Sequence, residues 1–84
     1  MIQHIKKTTI NDNAIIIHNR LTDEKYLCEG DDKAKLNRDC YELIGQQIDI
    51  NKRICHRLIE SGLYTYTDLS HMSIDSIREA INKL

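Results

Sequence analysis

The sequence predicts an α+β protein in one domain: a short antiparallel β-meander of two or three strands over residues 1–30, then three to four short α-helices over residues 31–84. Three observations predict it. Up to Glu29 the chain is rich in β-branched residues broken by Asn- and Asp-containing turns. After Gly30 the apolar residues switch to three- and four-residue steps, the spacing of a helix face. From Ile50 onward, capping residues, apolar spacing and charge placement agree on where helices begin and end.

The strand candidates are Thr8-Thr9-Ile10, then Ala14-Ile15-Ile16-Ile17-His18, then Tyr26-Leu27-Cys28, with turns at Asn11-Asp12-Asn13 and at Leu21-Thr22-Asp23-Glu24. Alternation places Ile15 and Ile17 on one face and Ile16 and His18 on the other, so each face is partly apolar and each calls for a cover. The helices supply one. The open edge of so small a meander invites pairing with another strand, a second copy included.

Asp31-Asp32 opens the first helix, where the negative charges suit the positive end of the helix dipole, and Leu36, Cys40, Leu43, Ile44 and Ile48 recur along it. Gly45 either costs about 1 kcal/mol relative to Ala inside this helix or marks its end. Asn51 is a good N-cap and Gly62-Leu63 a good C-terminal signal, whose Leu folds back on the last turn, so a helix of about three turns is expected over 52–61. Tyr64 and Tyr66 lie in the connector that follows, a turn of helix falls near 67–70, and Ser73 caps a last helix with the stripe Ile74, Ile77, Ile81 and Leu84.

Eighty-four residues without Phe or Trp allow only a modest core. Twelve Lys and Arg against 13 Asp and Glu create no global field toward nucleic acid or an anionic membrane, so any such contact is local. Three scattered cysteines fit a reducing compartment better than a disulfide framework. No apolar run approaches the ~20 residues of a membrane span, and the first residues lack the pattern of a secretory signal. A cytoplasmic protein without membrane contact is expected.

The helix at 52–61 carries the main candidate site. Ile54, Cys55, Leu58 and Ile59 share one face, and Lys52, Arg53, His56 and Arg57 share the opposite one. A row of cations on a helix suits an acidic protein surface or a phosphate backbone, and Tyr64 and Tyr66 beside it suit a protein contact or base stacking. The bland reading is a solvated helix face balanced by Glu42, Asp49 and Glu60, with the tyrosines as packing. Cys28, Cys40, Cys55 and His56 have no CxxC or HxxxH spacing, so no metal is expected, and buried thiols are the simpler reading. No phosphate loop or paired-carboxylate motif is present. Neither catalytic residues nor cofactors are expected.

From Ile50-Asn51-Lys52-Arg53 through Leu58, and then Ser61-Gly62-Leu63-Tyr64-Thr65-Tyr66-Thr67-Asp68-Leu69, the chain resembles the first half of the C-terminal domain of the alpha chain of RNA polymerase, and more loosely helix-hairpin-helix and SAM-like modules. The resemblance covers about residues 50–84 and lacks the family's glycine-containing hairpin after Leu69. It implies a DNA-contacting role for Arg53 near a helix start, and for His56 three positions on. The expectation from the whole chain is a small non-enzymatic regulatory or adaptor protein, of prokaryotic or phage type, that binds another protein and has a second copy as a further candidate partner. The alternative is a transcription-related DNA- or RNA-binding module using the basic face at 52–61.

Overall fold

The first two strands form where the β-branched runs stand and the third over Tyr26-Leu27-Cys28, and Asn side chains close the turns between them. In a computed structural model that describes residues 4–84, β1 (Ile5–Asn11), β2 (Ala14–Asn19) and β3 (Glu24–Glu29) make an antiparallel sheet in the order β1-β2-β3. Residues 1–3, at the start of the expected meander span, lie outside the described residues. The Asn11 side chain accepts a hydrogen bond from the Asn13 amide at 2.8 Å and so closes the first turn, beside a bulge between Thr9 and Asn11. In the second turn Asn19 Oδ1 accepts from the Leu21 and Thr22 amides at 3.0 and 3.4 Å, and Asp23 takes a positive φ of 61°, a conformation that Asp tolerates better than most residues.

The helical part consists of three helices: α1 (Lys33–Glu60), α2 (Tyr66–His71) and α3 (Ile74–Asn82). The expected break before residue 52 does not occur. One helix of 28 residues runs through it, about 42 Å long at 1.5 Å per residue, and it sets the molecule's extents of 47 × 19 × 18 Å. Asn51 is therefore no cap. Its carboxamide is 2% exposed and accepts a hydrogen bond from Asn19 Nδ2 at 3.0 Å, so a tertiary bond takes the side chain that would otherwise have ended the helix locally. Gly45 lies inside α1, exposed, with open space where a Cβ would stand. Gly45→Ala is accordingly expected to raise the unfolding free energy by up to about 1 kcal/mol, read from the urea midpoint at unchanged slope.

The helix ends are capped by side chains. Asp32 Oδ1 accepts from the Ala34 and Lys35 amides at 3.0 and 3.4 Å at the start of α1. At its end Gly62 takes φ 79°, and its amide donates to the Ile59 carbonyl at 3.0 Å. Leu63 does not fold back onto that last turn and is 72% exposed, because the connection turns away toward α2 instead. Thr65 and Asp68 form a reciprocal capping box: the Asp68 amide donates to Thr65 Oγ1 at 3.1 Å and the Thr65 amide to Asp68 Oδ2 at 2.9 Å. Those bonds start α2 at Tyr66, and the backbone amide of Thr65 holds the Asp68 carboxyl below the usual carboxylate range. Ser73 caps α3 as expected, while Leu84 lies beyond that helix and is exposed rather than part of its apolar stripe.

Two small cores sit along α1. Toward its start, Leu36 and Cys40 meet Ile15 and Ile17 of β2, with Ile5, Cys28, Leu43 and Ile44 around them. Toward its end, Cys55 and Leu58 meet Leu21, Leu69, Ile77 and Ala80. Between the two lies a polar layer, Asn19 of β2 against Gln47 and Asn51 of α1, all three buried. Among the described residues the inner sheet face is thus covered by the chain's own helix, and the outer face is not.

Candidate functional site

With the C-terminal half of α1 turning Cys55 and Leu58 into the core, and Ile54 and Ile59 packing against it, the other side of the helix faces water. Lys52, Arg53, His56 and Arg57 are all exposed there and together line one open groove. Their spacing makes two adjacent columns one turn deep, Lys52 above His56 and Arg53 above Arg57. His56 Nε2 meets Glu60 Oε1 at 2.9 Å. Among the described residues no carboxylate comes within 4.0 Å of the Lys52, Arg53 or Arg57 charge, so Glu42 and Asp49 leave those three cations unbalanced at contact range.

The two tyrosines separate. Tyr66, at the first position of α2, is 67% exposed. Tyr64 is half-buried and packs against the helical core. Leu63, which the capping pattern placed on the helix, is exposed instead at the same end of α1, so the apolar groups open to a partner there are Leu63 and Tyr66. Arg53 stands well inside α1 and not near a helix start, unlike the arrangement that the resemblance implied.

Burial, with Cys40 and then Asp39 beside it, pushes the Cys28 thiol up to about 11, so it stays protonated near neutral pH. Burial raises Cys55 as well. Cys28 and Cys40 belong to the sheet-side core and Cys55 to the helical one, while His56 faces out, so these four do not converge. Among the described residues no group of three His, Cys, Asp or Glu side chains is placed to hold a metal ion, and no helix is long and apolar enough to cross a membrane.

Two polar clusters escaped the sequence reading because their members are far apart in the chain or lie in a turn. Asp23 accepts from His18 Nε2 at 3.0 Å and lies 3.7 Å from Arg78 Nη2, and these two hold its carboxyl below the usual range, His18 contributing most. Asp23 thereby ties the β2–β3 turn to α3. In the layer between the cores, Asn19 Nδ2 donates to Gln47 Oε1 at 2.9 Å and to Asn51 Oδ1. Both clusters join elements of the fold, and Arg78 of the first also lines a small cavity with Leu21, Thr22, Ile54, Ile81 and Asn82. In the comparisons with known protein families, curated proteins and solved structures, nothing matches the chain.

Proposed function

We propose that this chain is a small non-enzymatic regulatory or adaptor protein of prokaryotic or phage type, working in the cytoplasm by binding another protein. The observation that carries the reading is the groove of Lys52, Arg53, His56 and Arg57, three of whose cations have no carboxylate at contact range, with exposed Leu63 and Tyr66 at the same end of the helix. A basic helix face followed along the chain by exposed apolar groups suits an acidic protein surface with apolar groups of its own. A net charge of −1 gives no long-range pull toward polyanions, which favours protein over nucleic acid. The second reading is a DNA- or RNA-binding module, favoured by Lys52, Arg53 and Arg57 standing with His56 along one exposed helix face.

A pull-down from host lysate at low and moderate salt, with and without nuclease, separates the two. The expected result is one nuclease-resistant protein at fixed stoichiometry, whose affinity for the purified Arg53→Ala/Arg57→Ala double variant falls at least about tenfold by titration calorimetry. Retained nucleic acid that is lost at moderate salt would give the site to the second reading. Full partner affinity in the double variant would remove the groove from the mechanism.

A further inference from the structure

The outer face of the sheet, turned away from α1, is apolar across its middle and oppositely charged at its ends. The strand register puts Thr8, Ile16 and Leu27 in one cross-strand row, with Lys6 and Lys25 in the row on one side. Glu29 stands on the other side, in the row of Ala14. Leu27 is 56% exposed and Ile16 keeps partial exposure, whereas Ile15 and Ile17 on the inner face are buried. An antiparallel sheet with one solvated face ordinarily presents polar side chains on it, so an Ile-Leu row there marks a contact surface. His18, between the two lysines, is already held by Asp23.

The charge pattern selects the occupant. Along β3 the outer side chains read Lys25, Leu27, Glu29, with a cation and an anion at equal distances from the apolar centre. Such a segment is complementary to itself when reversed. We propose that this face packs on the same face of a second copy, about a two-fold axis lying in the interface, across the strands, along the Thr8–Ile16–Leu27 row.

That operation sets Leu27 against Leu27, Ile16 against Ile16, and each Lys25 against the Glu29 of the other copy, within the usual rotation of about 30° between packed sheets. An axis parallel to the strands would set lysines against lysines. Edge-to-edge pairing through β1 would leave the apolar row in water. Three strands about 4.8 Å apart and about 17 Å long give a footprint of about 250 Å², well below the area of a permanent dimer. The assembly is therefore a weak one, with a dissociation constant on the order of 100 µM.

Sedimentation equilibrium of the full chain from about 10 µM to 1 mM tests this, with far-UV circular dichroism confirming that each variant is folded. A monomer–dimer equilibrium is expected, which Leu27→Asp removes. Lys25→Glu and Glu29→Lys should each weaken it about tenfold, because two attractive pairs become repulsive, and the Lys25→Glu/Glu29→Lys double variant should return to within about threefold of the parent. A chain that is monomeric up to 1 mM overturns the proposal, and so does a double variant no better than the singles. A dimer indifferent to Leu27→Asp also overturns it and assigns self-association to the β1 edge. If Leu27→Asp leaves a monomer unchanged but abolishes capture of a host protein, the face belongs to that protein.

Discussion

Asn19→Ala is expected to lower the unfolding free energy by about 4 kcal/mol, a large part of what a domain of this size has. Asn19 is fully buried, and its carboxamide uses all of its hydrogen-bonding capacity: Nδ2 donates to Gln47 Oε1 and Asn51 Oδ1, and Oδ1 accepts from the Leu21 and Thr22 amides. Alanine leaves two acceptors and at least one backbone donor unpaired in a buried layer. Each such group costs about 1–3 kcal/mol, which exceeds the net value of the bonds themselves. The layer has little slack, since Asn51 Nδ2 and Thr22 Oγ1 already lack partners among the described residues. Urea denaturation followed by circular dichroism measures the loss, and a change below about 1 kcal/mol would refute this account. Replacing Asn19, Gln47 and Asn51 together by Leu removes the side-chain donors and acceptors at once and leaves only the Leu21 and Thr22 amides without their acceptor, so the triple variant should lose less than Asn19→Ala does.

The same layer explains which parts of the structure the sequence could announce. β-branched alternation and Asn/Asp turns are local signals, and the meander follows from them with all three strands and both turns in place. The continuity of α1 was not legible. Asn before an apolar run is a common way to start a helix, and the bond that overrides it comes from Asn19, 32 residues away. Yet the outward placement of Lys52, Arg53, His56 and Arg57 did not depend on where the helix began. Which side chains share a face depends on the rotation per residue alone, so a misplaced boundary left the faces unchanged. The tyrosines show the opposite case: Tyr64 and Tyr66 look equivalent in the sequence, and only the Thr65–Asp68 capping box, by starting α2 at Tyr66, separates a packed ring from an open one. The Thr-x-x-Asp spacing was the signal that could have found it.

Leu58→Ala is expected to cost about 3 kcal/mol, within the 2–5 kcal/mol usual for a buried Leu, and its effect should reach the far end of the molecule. Leu58 is fully buried among Leu21, Cys55, Leu69, Ile77 and Ala80, so truncation leaves a void that these neighbours cannot easily close. The two cores share one helix and one polar layer. If α1 frays from its C-terminal end as far as Asn51, Asn19 loses a partner, and the turn it holds together at Leu21 and Thr22 loosens with it. Leu21 lies in that same turn while packing in the helical core, which ties the sheet to the opposite half a second time. Unfolding should therefore be a single transition, with Leu58→Ala lowering the hydrogen-exchange protection of β2 by as much as that of α3. Ile17→Ala, in the sheet-side core, should do the same in reverse. Protection of β2 that survives Leu58→Ala while α2 and α3 exchange freely would mean two separate folding units on one helix, and the polar layer would then be the boundary between them rather than their link.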